Sequence, residues 1–265
     1  MLSRDQLDQP WDKNTIVDPR EIERFAALAE EWWKPEGKFK TIHDFNAQRV
    51  GFIQDKIATH FGIEANNGFR FEGIDILDVG CGAGLVSEPL AAKGANVVGI
   101  DATAKNIEIA RNHAAQFARK VDYRHCLSSH VVETGARFDV VLNLEVIEHV
   151  ANPGQLMLEC CHLLKPGGIM IIGTLNRTVR SFLLAIVAAE YIIRWLPVGT
   201  HDWRRFFRPK EIIGMLAKNG LVNCQTTGLV YNLIVKRWRL STNYSVNYLL
   251  VAEKNPPAHK SLDTF

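Results

Sequence analysis

Two acids and three glycines are the first residues in this chain whose types and spacing suggest chemistry. Asp78 stands two residues before Gly80, and Gly80, Gly82 and Gly84 alternate with Cys81 and Ala83. A glycine lacks a Cβ, so the backbone can bend sharply and a ligand can lie against it. The dinucleotide fingerprint needs a third glycine where this chain has Leu85. A carboxylate at Asp78 repels a pyrophosphate and suits a cationic ligand. S-adenosylmethionine offers a sulfonium, an ammonium and a ribose, and no phosphate. The pattern therefore favours a methyl-donor site over a nicotinamide site, with a structural turn before a helix as the bland alternative. Asp101 ends the apolar run Val97–Ile100, roughly 20 residues after the turn. At that offset a carboxylate accepts from both ribose hydroxyls.

A second group follows the fourth apolar run. Leu144 is placed to lie against an adenine face. Glu145, Glu148 and His149 have spacings that put all three on one side of a helix. Three readings stand side by side. The oxygen-rich set could hold Mg²⁺. His149, with Glu145 beside it, could act as general base toward a phenol proton. The segment could also be a capped, solvated turn. Arg49 could pair with the carboxylate of a methionine moiety, because guanidinium forks match carboxylates; a surface arginine is the alternative. Thr200–Trp203 could line a substrate pocket or form a plain turn, and Trp32 and Trp33 read as core or lid packing.

The elements that must position these residues follow from periodicity. Helical spacing of Ile22, Phe25, Ala26 and Ala29, then of Phe52, Ile53, Ile57 and Phe61, predicts a helical cap over residues 21–68 after a flexible stretch 1–20. From 69 to 254 short apolar runs alternate with helical segments: strands at 74–79, 96–100, 121–125, 138–142 and 169–174, with a turn at 165–168. This predicts an α/β fold with a doubly wound, mostly parallel sheet. Two further strands, 221–228 and 247–253, bring the count to seven. Residues 175–208 read as an insertion after strand five, built on an apolar helix at 182–196. That helix is either a buried lid or an element lying in a membrane interface. The tail 255–265 is polar and expected to be disordered.

Composition excludes some classes. A net charge of +2 on 265 residues gives no bulk attraction to nucleic acid. The five cysteines form no CxxC pair, so reduced thiols in a cytosolic protein are expected. The opening MLSRDQLDQPWDKN lacks the apolar core of a secretory signal, and no run reaches the roughly 18 apolar residues that span a bilayer.

Taken together these residues resemble class I S-adenosylmethionine-dependent methyltransferases, and more narrowly the ubiquinone-biosynthesis O-methyltransferase family. The resemblance spans about residues 18–253. It rests on Phe25 through Trp32-Trp33, Gly37-Lys38-Phe39-Lys40, Asn46–Arg49, Leu77–Gly82 and Glu145–Val150. It also takes in Gly173–Arg177, Ala188–Ile193 and Gly199–Asp202. It implies a seven-stranded Rossmann-like methyltransferase sheet with an N-terminal helical cap. The donor would be held by Arg49, Asp78, Gly80, Gly82, Asp101 and Leu144. It implies methylation of ring hydroxyls on polyprenylated phenols, 2-polyprenyl-6-hydroxyphenol and 3-demethylubiquinol. It also implies that eukaryotic relatives bind Mg²⁺ through Glu145, Glu148 and His149. A bacterial protein is expected, peripheral at the inner face of the cytoplasmic membrane. It would touch that surface through 178–197 and join a complex of ubiquinone-biosynthesis enzymes. Two alternatives stay open: a related enzyme with another hydrophobic phenolic or lipid substrate, and a non-catalytic nucleotide-binding module.

Overall fold

The computed structural model describes residues 17–29, 32–33, 40–64, 68–184, 202–232 and 235–255. Two helices precede the sheet. The first, α1 (Pro19–Leu28), starts at Asp18, whose side chain accepts from Arg20 N, with proline at the first helical position. The second, α2 (Lys40–His60), buries Phe52, Ile53 and Ile57 against the sheet. Then come β1 (Asp75–Val79), α3 (Ser87–Ala91), β2 (Asn96–Asp101), α4 (Ala104–Gln116), β3 (Val121–His125), α5 (Ser128–Glu133) and β4 (Phe138–Leu144). A 3₁₀ turn at Ile147–His149 leads to α6 (Pro153–Leu163), β5 (Leu164–Leu175) and a single turn, α7 (Val179–Ser181). A second 3₁₀ turn (Trp203–Arg205), α8 (Pro209–Lys218), β6 (Leu221–Asn232), β7 (Arg237–Ser241) and β8 (Asn247–Lys254) complete the order.

The strands lie in the order β3-β2-β1-β4-β5-β8-β6-β7. The first five are parallel, and β8 runs antiparallel between β5 and β6. Successive residues of a strand face opposite sides. Ile76, Val140, Leu142 and Ile171 therefore pack under α2, while Leu77, Val79, Val141 and Ile172 pack with α6 and α8 on the other face. Both faces are covered, which is why the strands read as unbroken apolar runs.

The expected mostly parallel sheet is present, but its C-terminal strands are antiparallel and among the described residues it has eight strands. The addition is β7, an edge strand paired only with the end of β6. Its sequence Arg237-Trp238-Arg239-Leu240-Ser241 is mostly exposed and carries two charges, so no apolar run marks it. The expected turn at 165–168 is an irregular start to β5, where the register against β4 shifts between Phe138 and Val140. Most of the apolar 182–196 helix, the Gly37–Phe39 stretch, residues 1–16 and the tail beyond Asn255 lie outside the described residues.

Candidate functional site

The strand order reverses between β1 and β4, and a crevice opens above their carboxyl ends. This is where open α/β sheets hold ligands. The glycine turn forms its floor. Gly80 N and Cys81 N both donate to Ile100 O, at 2.8 and 3.0 Å. That double bond folds the chain off β1, and Gly80 takes φ +70 to do it. Any Cβ there would overlap Val146 Cγ2. Asp101 ties the turn to the next helix: one carboxylate oxygen accepts from Gly82 N at 3.0 Å, the other from Thr103 N at 2.7 Å. Gly82, at φ +55, faces open space at its missing Cβ, as a surface that receives a ligand must.

Asp78 is buried beneath the turn and accepts from Ser87 Oγ at 2.6 Å. Burial pushes its carboxyl up to about 6, against that hydrogen bond and the Arg49 charge, and the like charge of Asp101 adds to the rise. Burial also raises Asp101, resisted by its bonds to Thr103, Gly82 and Asn106. Arg49 comes in from α2. Its Nε and Nη2 donate to Asn46 Oδ1 at 3.1 and 2.7 Å, and its Nη1 stays 3.9 Å from the Glu145 carboxylate. A buried guanidinium this loosely paired suits a ligand carboxylate. Two buried acids and a buried arginine thus line one crevice and match an ammonium, a ribose diol and a carboxylate.

This arrangement gives a pH dependence. A ligand ammonium beside Asp78 favours its ionised form, so binding releases a proton wherever the free carboxyl is protonated. S-adenosylhomocysteine keeps that ammonium. Its affinity is expected to hold between about pH 7 and 8 and to fall as pH drops through about 6. Calorimetry in buffers of different ionisation enthalpy reads the released proton. A flat affinity down to about pH 5 would exclude Asp78 as the cation's partner.

The sequence reading did not find two further fastenings. Trp33 donates from Nε1 to Ala83 O at 2.9 Å and stacks on His113 with ring centroids 3.4 Å apart. Asn46 donates to Leu85 O at 2.9 Å. Both pin the N-terminal cap onto the outer side of the glycine turn. Tryptophan at a turn and asparagine in a helix carry no signal by themselves, because their partners lie 50 and 39 residues away.

The other wall rises from the end of β4. Leu144 is buried and lines the cavity. Glu145 takes a left-handed backbone at φ +56, uncommon for a residue with a side chain. Its N–H donates to Gly173 O at 2.8 Å. His149 sits on the 3₁₀ turn, and its Nδ1 lies 2.9 Å from Glu21 Oε2 on α1. Phe25 meets its ring edge-on at 5.0 Å. Glu148 is 3% exposed and accepts from Thr174 Oγ1 at 2.9 Å through one oxygen. Burial, and the Glu145 carboxylate after it, push Glu148 well above the usual range.

The expected Mg²⁺ set is not gathered among the described residues, although the Glu145 and Glu148 carboxylates lie against each other and Glu148 Oε1 is buried without a hydrogen-bond partner. His149 turns to α1, Glu148 turns inward to Thr174, and among the described residues no three His, Cys, Asp or Glu side chains converge to hold a metal ion. The helical spacing expected to align the three is absent, since only a three-residue 3₁₀ turn forms there.

One cavity of about 660 Å³ is lined by Asp101 and Gly82, by Glu145 and His149, and by Leu229, Tyr231 and Trp238. The last three form an apolar wall. Trp238 packs on Phe45 at 4.9 Å and on Tyr231 at 5.3 Å. Leu229 and Tyr231 lie beyond the expected end of their strand at 228, and β7, which carries Trp238, was not expected. Of the two readings of Thr200–Trp203, the described part forms the turn: Asp202 caps Trp203–Arg205 and pairs with Arg204, while Thr200 and His201 lie outside the described residues.

Comparison with known proteins agrees with this fold. Residues 45–226 match a family described as a methyltransferase domain. The chain is 47% identical over 245 residues to a ubiquinone biosynthesis O-methyltransferase of Chelativorans sp. (strain BNC1), covering 92% of this chain and 97% of that one. It is 46% identical over 239 residues to one of Cereibacter sphaeroides (strain ATCC 17029), covering 90% and 97%. Among solved structures, the magnesium protoporphyrin IX methyltransferase of Synechocystis with bound S-adenosylhomocysteine superposes with a TM-score of 0.64 at 20% identity, over 92% of this chain and all of that one. At that identity the likeness is one of fold.

Proposed function

Because the chain belongs to the ubiquinone biosynthesis O-methyltransferase family, we propose that it methylates ring hydroxyls of 2-polyprenyl-6-hydroxyphenol and 3-demethylubiquinol. The carrying observation is that one cavity is lined both by Asp78, Gly82 and Asp101 and by the apolar, aromatic residues Leu229, Tyr231 and Trp238, with His149 also on its lining.

In this reading Arg49 takes the donor's carboxylate, Asp78 its ammonium and Asp101 the ribose hydroxyls. Gly80 and Gly82 let the donor lie on the turn, and Leu144 covers its adenine. When bound, S-adenosylmethionine supplies a methyl group on a strong leaving group. The protein's work is then to align the acceptor oxygen and remove its proton. Alignment alone can supply about 7–11 kcal/mol. His149 is the base for the phenol proton, with Glu145 four residues before it in the sequence. No step passes through Mg²⁺, since the expected ligands do not converge.

The isoprenoid tail of the acceptor would leave the cavity along the apolar wall. At about 0.8 kcal/mol per buried CH₂, a tail of tens of carbons stays in lipid. Phe182, Leu183 and Leu184 are exposed at the described end of the insertion, next to the cations Arg177 and Arg180. They support contact with a membrane surface. No helix among the described residues is long and apolar enough to cross one.

The test is turnover of a prenylated catechol in phospholipid vesicles, with and without EDTA. Methylation is expected in both conditions, with a soluble catechol turned over poorly. Saturable donor binding with no methyl transfer to any acceptor would overturn the reading. Loss of activity with EDTA would overturn the metal-free base.

A further inference from the structure

We propose that Glu21 is a positioning residue for this reaction, holding the His149 imidazole in the tautomer that accepts the acceptor's proton. The inference rests on the proposed function for its chemistry and on α1 for its geometry. Glu21 and His149 are 128 residues apart, yet Nδ1 and Oε2 meet at 2.9 Å, and each side chain is nearly buried, 12% exposed for His149 and 13% for Glu21.

Although burial opposes ionisation, the hydrogen bond and charge of His149 hold Glu21 below the usual carboxylate range, with the charges of Arg24 and Arg205 adding to the effect. An ionised carboxylate only accepts hydrogen bonds. The proton must therefore sit on Nδ1, which leaves Nε2 with the lone pair. The ring is also held in place from the side by Phe25. Glu21 is itself braced: Arg24 Nη1 reaches both its oxygens at 3.1 and 3.2 Å. Asp18 at the start of α1 accepts from Arg205 at 3.0 Å, which anchors the helix to the segment before α8. Both Glu21 and His149 line the cavity.

In the step this serves, the phenol proton passes to Nε2 while the phenol oxygen forms its bond to the methyl carbon. The carbon–sulfur bond breaks, and its electron pair stays on sulfur. The products are an aryl methyl ether, S-adenosylhomocysteine and an imidazolium whose charge Glu21 offsets. The imidazolium then releases its proton to water.

The test uses Glu21→Gln, which keeps a hydrogen bond to Nδ1 and hence the tether but removes the charge. We expect kcat on the prenylated catechol to fall on the order of 100-fold, at the low end of what a positioned base contributes. The acceptor's KM and the affinity for S-adenosylhomocysteine should stay within about two-fold. Glu21→Asp should recover part of the loss. In a His149→Ala background Glu21→Gln should bring no further loss, because both changes act on one unit. A second readout needs no turnover: ¹⁵N shifts of His149 in the native protein should show protonated Nδ1 and bare Nε2, and Glu21→Gln should mix the tautomers. A native ring protonated on Nε2, a kcat within two-fold of native, or additive losses would each overturn the proposal. If the native protein methylates no acceptor, the proposed function fails, and the ¹⁵N readout still decides the Glu21 contact.

Discussion

Replacing Asp101 with alanine is expected to weaken S-adenosylhomocysteine binding by at least about 100-fold. The carboxylate would accept from two ribose hydroxyls, and a hydrogen bond to a charged group contributes about 1.5–3 kcal/mol. Losing both corresponds to roughly two to four orders of magnitude in affinity. Asp101 also organises the protein side of the crevice, since Gly82 N and Thr103 N both donate to it. Its removal leaves two backbone donors without their acceptor, so the melting temperature should fall as well. Asp101→Asn separates the two roles. Its remaining oxygen can keep one backbone bond, so it should melt closer to native while still binding poorly. Calorimetric titration of the three proteins gives the answer, and native-like affinity in Asp101→Ala would remove the ribose assignment.

The second large effect is steric. Gly80→Ala is expected to destabilise the protein by about 2–5 kcal/mol. A side chain at φ +70 costs roughly 1–2 kcal/mol. The new methyl would also overlap Val146 Cγ2, and overpacking of this kind costs about 1–3 kcal/mol. Val146 is β-branched and cannot swing aside cheaply. For a chain of this size the melting point should drop by on the order of 5–15 °C. Adding Val146→Ala should return the packing part and leave the backbone part, so the double variant should melt between Gly80→Ala and native. A double variant no better than Gly80→Ala would mean that the damage is all in the backbone. The overlap matters for function because Val146 precedes the turn that carries His149. A shift there is expected to lower activity even where the protein stays folded.

Much of the cofactor half was legible in the sequence, for physical reasons. Asp78, the three glycines and Asp101 lie within 24 residues and act through local geometry: a strand, a tight turn, and a carboxylate at the next strand's end. Arg49 was legible only as one of two options. The acceptor half was largely hidden. Glu21 meets His149 across 128 residues, and neither residue type announces the other. The Glu145–His149 run suggested a helical face, but its backbone enters a left-handed residue and a short 3₁₀ turn, which turn His149 to Glu21 while Glu148 lies against Glu145. Trp238 was missed because an exposed edge strand with two arginines leaves no hydrophobic period to read.

The position of β8 has a consequence for how the protein is made. In the sheet it separates β5 from β6, yet in the chain it follows both β6 and β7. A growing chain can pair β1 through β5 in parallel while still on the ribosome, and those strands already hold Asp78, Asp101 and Leu144. The hairpin of β6 and β7 has no edge to join until β8 has emerged and slotted in beside β5. The proposed donor-binding residues can therefore be arranged early in synthesis, whereas Tyr231 and Trp238 close over the proposed acceptor space only with the last strand. A nascent chain halted before Asn247 would have the parts to bind a nucleoside but no wall to hold a greasy ring.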